Sequence, residues 1–289
     1  MKKAVAFITM MAWFALLGYR ASEDTAHYPY QTRIEVSDTG NGNWIHIAHR
    51  GASGYAPENT LAAFAKADEM GADMLELDVQ RSSDGQLVVI HDMTVDRTSN
   101  GKGKVGNMTL SELRRLDVGS WYSADFKDEV IPTLQEVLMR FGERTGLLIE
   151  LKSPEFYPGI EQDLVACLQL HSQLHAVDRH SSLIPPVIVQ SANADSLQRL
   201  HKLMPEIPLG IVITSSSQLS KLRMNEVCTY ADYVNISMRL VSRGLIQKIH
   251  QSGMKSFIWT IRDMHQIPYL LHMKADGIIT DYPDRVPVL

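Results

Sequence analysis

The chain has 289 residues, of which 45% are hydrophobic and 21% are charged. This balance is typical of a folded protein with one large domain or two small ones, and it excludes a fibrous or disordered chain. The formal net charge is −5, and the lysines and arginines are scattered, so we expect no nucleic-acid partner. The two cysteines, Cys167 and Cys228, have no metal-site spacing, which indicates a fold held together by its hydrophobic core.

The N-terminus has the pattern of a secretory signal. Two lysines precede an uncharged run from Ala4 to Gly18, and the small residue Ala21 stands before a polar stretch. This run is shorter than the ~20 residues that a membrane-spanning helix needs. We therefore expect residues 1–21 to be a signal peptide, with an uncleaved N-terminal membrane anchor as the alternative. The mature domain, residues 30–289, would then be secreted, periplasmic or part of the cell envelope.

Short apolar runs alternate with amphipathic stretches along the rest of the chain, which favours a parallel sheet with helices between its strands. Nine runs are typical of strands: Ile45–Ala48, Met74–Val79, Leu87–Ile90, Leu147–Leu151, Val187–Gln190, Gly210–Ile213, Tyr233–Ile236, Ser256–Trp259 and Gly277–Thr280. Helical periodicity is clearest in Asn59–Met70, Leu134–Phe141, Ile160–Gln173, Ala194–Met204 and Arg243–Ser252. This alternation over about 260 residues predicts an α/β fold, a (β/α)₈ TIM barrel.

The second and third of these strands have no helix between them. They are separated by Asp84-Gly85, a dipeptide that favours a tight turn, so they should form a hairpin. This leaves eight barrel strands and one returning arm. A two-residue turn centred on Asp84-Gly85 would place Asp78 opposite His91.

The stretch from residue 94 to 130 is rich in glycine and charge, and it has one helical segment near Leu110–Leu116. It is too long for an ordinary connection within a barrel. We therefore predict a small insertion, residues 94–130, on the face that carries the active site.

Barrel enzymes carry their catalytic groups at the C-terminal ends of the strands. Glu76 and Asp78 are two residues apart and share one face of the second strand, and Glu150 lies in the next barrel strand. Buried acids are costly unless they are paired, and three carboxylates on adjacent strands suit one hard divalent cation, Ca²⁺ first and Mg²⁺ as the alternative. These acids could instead form salt bridges with Arg50 and Lys152, which also have the chemistry of a phosphate clamp.

Two histidines end separate predicted strands. His49 follows the first strand and His91 follows the returning arm, so both should border the acids. Such a pair can divide the roles of general base and general acid, although a single histidine is more often structural. Asn59-Thr60 precedes a predicted helix, and we expect it to cap that helix.

Seven motifs in sequence order resemble the glycerophosphodiester phosphodiesterase family. They are His49-Arg50-Gly51-Ala52-Ser53-Gly54, Pro57-Glu58-Asn59-Thr60, Glu76-Leu77-Asp78, His91-Asp92, Asp96-Arg97-Thr98, Glu150-Leu151-Lys152 and Thr280-Asp281-Tyr282-Pro283. Each motif alone is weak evidence, but seven in order are specific. The similarity runs from about residue 45 to 285 and is greatest to the secreted bacterial branch.

The resemblance implies a barrel enzyme that hydrolyses glycerophosphodiesters to an alcohol and sn-glycerol 3-phosphate with one divalent cation. It implies that Glu76, Asp78 and Glu150 bind the metal and that His49 and His91 are the acid–base catalysts. The residues that would contact the substrate or its phosphate are Arg50, Lys152, Gln190 and Trp259. Small glycerophosphodiesters are therefore the expected partners, with glycerol-phosphate polymers as a further class and membrane contact only through an uncleaved N-terminus.

Two positions depart from the pattern of the family. Ala192 stands where a phenylalanine usually follows Ser191, and Arg262 replaces the usual asparagine two places after Thr260. Neither position belongs to the predicted ligands or catalysts, so we expect the departures to affect substrate range.

Two other functions fit parts of this pattern. A related barrel phospholipase of the C or D type would act on intact lipids and would need an apolar docking loop, which residues 94–130 do not obviously provide. A catalytically silent binding module would lack at least one of the two histidines or three acids, and this chain keeps all five.

Overall fold

The computed structural model of the protein describes residues 44–171 and 185–286. The predicted signal segment, residues 1–21, lies outside the described residues, as does the end of the predicted helix Ile160–Gln173. Within the two described ranges, none of the helices has the length and apolar character needed to cross a membrane.

Eight parallel strands close into a barrel. One further strand, the third in the sequence, pairs antiparallel with the second strand as a returning arm. The strands are β1 Ile45–Ala48, β2 Met74–Arg81, β3 Leu87–Val89, β4 Gly146–Leu151, β5 Val187–Ser191, β6 Leu209–Ile213, β7 Tyr233–Ser237, β8 Lys255–Ile261 and β9 Gly277–Thr280. Pairing of β1 with both β2 and β9 closes the barrel. The predicted TIM barrel is thus confirmed, together with its hairpin.

Helices follow most of the barrel strands. Their bounds are α1 Leu61–Glu69, α2 Leu110–Leu113, α3 Leu134–Phe141, α4 Ile160–Leu170, α5 Ala194–Leu203, α6 Ser216–Lys221, α7 Met224–Val227, α8 Arg243–Gln251 and α9 Ile267–His272. Side-chain caps fix several of their starts. For example, Thr133 and Glu136 form a reciprocal capping box at the start of α3, which satisfies backbone donors of its first turn.

The barrel interior is filled by one layer of apolar side chains. Its members are Ile45, Ile47, Met74, Leu148, Ile188, Tyr233, Phe257 and Ile279, with Trp259 packed against them. The intervening strand residues belong to a second core between strands and helices, so the strands are apolar on both faces, as a parallel sheet requires. Because side chains two residues apart share a face, inward positions beyond this layer must line the C-terminal mouth of the barrel.

The register of the hairpin differs from the prediction by one residue. Ile90, not His91, lies opposite Asp78, and the Ile90 amide donates to the Asp78 carbonyl at 2.9 Å. The connection has three residues, 83–85, with Gly85 at a φ of +85°. A three-residue loop with a left-handed glycine replaces the expected two-residue turn, and this extra residue shifts the pairing.

The stretch from residue 94 to 130 has its own local structure. It contains α2 and two single turns of 3₁₀ helix, Val105–Asn107 and Ala124–Phe126. Apolar side chains from this stretch pack against the returning arm and the chain just after it; the cluster consists of Val88, Ile90, Val95, Val105, Leu113, Val118 and Ile131. A small hydrophobic core of this kind holds the segment against the barrel.

Truncating a side chain of the interior layer should destabilise the barrel. Phe257 is fully buried, and its ring lies 4.7 Å from that of Tyr233 between centroids. We expect Phe257→Ala to lower the free energy of unfolding by about 3–5 kcal/mol, because it leaves a cavity that the closed barrel cannot collapse around. Phe156→Ala is the matched control, since Phe156 is 61% exposed. Urea unfolding followed by circular dichroism measures both variants, and equal effects would contradict this account of the core.

Candidate active site

Three carboxylates meet at the C-terminal mouth of the barrel. Glu76 and Asp78 project from β2 and Glu150 from β4, where Asp78 and Glu150 are direct partners in the strand register. One oxygen from each of the three lies within 4.8 Å of the others, and all three residues are buried. The structure thus brings together the acids that the sequence predicts as metal ligands.

The donor chemistry of this cluster fits a divalent cation. Burial, together with the Asp78 and Glu150 carboxylates, raises the pKa of Glu76 well above its ordinary value. Each of these effects disfavours a third negative charge in this space. A hard cation bound by carboxylate oxygens would remove the same penalty.

Two basic side chains offset part of this negative charge. Lys152 Nζ donates to Glu150 at 2.8 Å and lies 3.7 Å from an Asp78 oxygen. Arg50 Nε lies 3.3 Å from Asp78 but forms no hydrogen bond within the described ranges. Although burial opposes ionisation, Arg50 and Lys152 hold the pKa of Asp78 below its ordinary value. The alternative expected from the sequence, ion pairing with Arg50 and Lys152, is therefore present for Asp78 and Glu150.

A tight turn after β1 presents Arg50 to the acids. Arg50 and Gly51 have φ angles of 57° and 78°, and the Arg50 amide donates to Glu76 at 2.8 Å. A Cβ atom on Gly51 would lie 2.6 Å from the carbonyl carbon of Ala63. Only glycine therefore fits at this position, both for its left-handed backbone and for its approach to α1.

The expected helix cap at Asn59-Thr60 belongs to Thr60 alone. The Thr60 hydroxyl accepts from Ala63 at the start of α1. Asn59 instead donates to Asp78 Oδ2 at 2.8 Å and accepts from the Asp78 amide at 3.2 Å. This pair of bonds fixes the orientation of one candidate metal ligand, so the capping role predicted for Asn59 was wrong.

His49 is held by a carboxylate from the last barrel strand. Its Nδ1 lies 2.6 Å from Asp281 Oδ1, which also accepts from the Ser53 hydroxyl. Burial lowers the pKa of His49, although the hydrogen bond to Asp281 opposes that effect. Because an ionised carboxylate can only accept, Nδ1 carries the proton and Nε2 is left as an acceptor.

A similar arrangement holds His91. Its Nδ1 lies 2.6 Å from Asp92, and Arg97 Nε donates to the same carboxylate at 2.7 Å. Arg97 also bonds to Glu58, which in turn accepts from Arg50 at 2.7 Å. This network connects the second candidate catalyst to the basic residue beside the acids.

Gln190 lies beside the acids. Its amide nitrogen donates to Glu76 at 3.4 Å and to Glu150 at 3.3 Å, and its carbonyl accepts from Asn235 at 2.6 Å. Asn235 is fully buried on β7, and Gly210 leaves the space for its amide. The Asn235 bond thus fixes which end of the Gln190 amide faces the carboxylates.

Trp259 packs against the apolar layer on the side of the mouth. The indole nitrogen is buried and has no hydrogen-bond partner within residues 44–171 and 185–286. A buried unpaired donor costs free energy, and a substrate oxygen would supply the missing acceptor. This observation supports the expected role of Trp259 in binding substrate.

Four polar residues of this site received no individual role from the sequence, namely Glu58, Asp92, Asn235 and Asp281, although all but Asn235 stand in the motifs shared with the family. A usable signal existed for two of them. Asn235 lies two positions after the interior residue Tyr233, and Asp281 lies two positions after Ile279. Counting in steps of two from the apolar layer would therefore have placed both at the mouth.

Comparison with known proteins agrees with this geometry. A glycerophosphodiester phosphodiesterase of Caldanaerobacter subterraneus subsp. tengcongensis is 40% identical over 245 residues, which cover 83% of this chain and 95% of the relative. One of Bacillus subtilis (strain 168) is 36% identical over 266 residues, which cover 86% and 89%. Among solved structures, an Oleispira antarctica phosphodiesterase in complex with the product sn-glycerol-3-phosphate is 31% identical. Its TM-score is 0.69, and the match covers 83% of this chain and 94% of that chain.

The family assignment rests on most of the barrel. Residues 49–285 match the glycerophosphoryl diester phosphodiesterase family. The match begins at His49 and ends just beyond Asp281, so it includes both members of the first histidine–carboxylate pair. This extent, together with the relatives and the barrel, confirms the resemblance seen in the sequence: the chain belongs to the glycerophosphoryl diester phosphodiesterase family.

Proposed function

We propose that the protein hydrolyses glycerophosphodiesters to an alcohol and sn-glycerol 3-phosphate, with one divalent cation and histidine acid–base catalysis. The observation that carries this proposal is the meeting of Glu76, Asp78 and Glu150 within 4.8 Å at a mouth that also carries both histidines. Ca²⁺ is the proposed cation, with Mg²⁺ as the alternative, because the donors are all carboxylate oxygens.

The charge of the site supports a phosphodiester substrate. Three carboxylates against Arg50 and Lys152 leave one formal negative charge when all five groups are ionised. With a divalent cation bound, the same cluster would carry one formal positive charge, which matches the single negative charge of a phosphodiester. The bound cation would polarise a phosphoryl or glycerol oxygen and stabilise charge that develops during the reaction.

Arg50 and Lys152 would bind the phosphoryl oxygens. Both are held in place by acids, so their positive charge is preorganised and needs no rearrangement as the transition state forms. Trp259 would donate its free indole N–H to the substrate, and Gln190 would hold Glu76 and Glu150 in position. The free indole N–H supports the predicted substrate contact of Trp259. The bonds of Gln190 to Glu76 and Glu150 support a role in holding these acids, in place of the predicted substrate contact.

The two histidines would divide the proton transfers. With Nδ1 bonded to Asp281, neutral His49 offers Nε2 as an acceptor for the proton of the nucleophile, and His91 would protonate the departing alkoxide. The opposite assignment is the alternative, since both rings are held by carboxylates in the same way. The nucleophile would be water or the adjacent glycerol hydroxyl, and the latter route passes through a cyclic phosphate.

Export from the cytoplasm is also a proposal. It is supported by the signal-like pattern of residues 1–21, and it would place the enzyme where it can recover phosphate and glycerol from extracellular diesters, including glycerol-phosphate polymers. We expect the N-terminal sequence of protein from the extracellular or envelope fraction to begin near residue 22. A chain that stays in the cytoplasm with Met1 intact would contradict export.

Removing one acid should weaken binding of the cation. Loss of a residue that only hydrogen-bonds to a metal ligand typically reduces metal affinity by roughly 10–100-fold. Since these acids are the proposed ligands themselves, we expect Glu76→Gln, Asp78→Asn and Glu150→Gln each to reduce Ca²⁺ affinity by more than that. Glu206→Gln is the matched control, because Glu206 is exposed. Isothermal titration calorimetry measures the affinities, and unchanged binding in all three variants would contradict the site.

Chelation separates the candidate functions. We expect wild-type protein to release glycerol 3-phosphate from glycerophosphocholine and to lose this activity when the cation is removed. Turnover of intact phosphatidylcholine instead would favour the phospholipase alternative. Cation binding without turnover of either would favour the silent module. A panel of head groups and poly(glycerol phosphate) then defines the substrate range.

Removing either histidine should abolish turnover but not cation binding. We expect His49→Ala and His91→Ala each to lower kcat by at least about 100-fold, because proton transfer by a positioned side chain contributes 10²–10⁴-fold. His272→Ala is the control, since His272 is exposed at the end of α9. Steady-state kinetics and cation titration are the measurements, and full activity in either variant would refute its role.

A further inference from the structure

Arg262 lies on the histidine side of the active site. It follows the last residue of β8, and its Nε donates to Asp281 Oδ2. The other oxygen of this carboxylate accepts from His49 Nδ1 at 2.6 Å. The three side chains therefore form a continuous line from the exposed rim of the barrel to a candidate catalyst.

We propose that Arg262 is a positioning residue that acts on His49 through Asp281. By occupying Oδ2, it fixes the plane of the carboxylate and directs Oδ1 at Nδ1 of the ring. His49 is then held as the tautomer whose Nε2 faces away from Asp281 and can accept a proton. The kinetic part of this proposal rests on the proposed function, whereas its structural part does not.

The charge of Arg262 has a second effect on the same ring. Asp281 from the end of β9 bonds to His49, and the charges of Arg50 from its own turn and of Asp78 from β2 also act on the ring. Although burial opposes it, the bonds from His49 and Arg262 lower the pKa of Asp281 to about 2. A cation on the far oxygen draws electron density away from Oδ1, so Asp281 stabilises an imidazolium less than it would alone. Arg262 therefore favours neutral His49, the form that can act as a base.

The His91 side shows why this arrangement is distinctive. Arg97 holds Asp92 as Arg262 holds Asp281, but Arg97 also bonds to Glu58, so two acids balance its charge. Among the residues that the structure describes, Arg262 pairs with Asp281 alone, and its side chain is 65% exposed. Its charge is therefore balanced by a single acid, and added salt will screen its effect on the ring.

Replacing Arg262 by a neutral polar residue tests the proposal. We expect Arg262→Asn to lower kcat about fivefold with KM nearly unchanged, as loss of one exposed charged hydrogen bond implies. It should also raise the pH of the acidic limb of kcat by about 0.3–0.6 unit, because removing the cation stabilises imidazolium at His49. Arg262→Lys keeps the positive charge, so the acidic limb of its kcat profile should stay close to the pH of the wild-type limb.

Two comparisons show whether Arg262 acts through Asp281. The double variant Arg262→Asn with Asp281→Asn should have the same kcat as Asp281→Asn alone. If Arg262 acts on His49 only through Asp281, its loss has no further effect once Asp281 is replaced. Arg243→Asn is the matched control, because Arg243 is an exposed arginine at the start of α8. It should leave kcat and its pH limb unchanged. Additive losses in the double variant would overturn the proposal.

A measurement without substrate separates this proposal from the proposed function. Nitrogen-15 NMR of histidine-labelled protein, with His49→Ala to assign the signal, reports the ring tautomer and its titration directly. We expect Arg262→Asn to raise the His49 midpoint and broaden its Nδ1–H signal. An unchanged His49 signal would overturn the proposal. A rise in KM and in the product Kd alone would show that Arg262 contacts substrate instead. If the wild type fails to turn over glycerophosphodiesters, the proposed function fails while this comparison still decides the role of Arg262.

Discussion

The site depends on the cost of burying three carboxylates together. Burial and mutual repulsion act most strongly on Glu76, whose pKa rises well above its ordinary value, and Arg50 and Lys152 compensate only in part. The remainder of the mouth is arranged around these acids: Asn59 orients Asp78, and Gln190 bonds to Glu76 and Glu150. With all five groups ionised, the site has one uncompensated negative charge and fixed oxygen donors, which is an arrangement suited to a divalent cation. The proposed cation is therefore supported by electrostatics as well as by family membership.

The barrel supplies the precision that this arrangement needs. A packed apolar layer fills the interior directly below the mouth, and close packing limits how far the strand ends can move. Glu76, Asp78 and Glu150 continue the same inward-facing positions, so these three acids are placed by the geometry of β2 and β4. The histidines gain a second level of order, because each ring is bonded to a carboxylate that an arginine holds in turn.

Much of this architecture was predictable from sequence because its signals are local. Continuous apolar runs between amphipathic helices gave all the strands, and acids within such runs marked the candidate metal site. The errors came where one residue decides the geometry. The hairpin shifted because Gly85 allows a three-residue loop, and Asn59 turned from the helix to Asp78. The bond of Asp281 to His49 was not predictable in the same way, since it joins opposite ends of the chain through closure of the barrel.

The most direct test of the account is a crystal structure of the protein grown with Ca²⁺. The account predicts a single strong density feature between Glu76, Asp78 and Glu150, with oxygen ligands at about 2.3–2.6 Å and both histidines facing the same opening. A structure at saturating Ca²⁺ with no ion between the three acids, and with Arg50 and Lys152 still paired with Asp78 and Glu150, would contradict it.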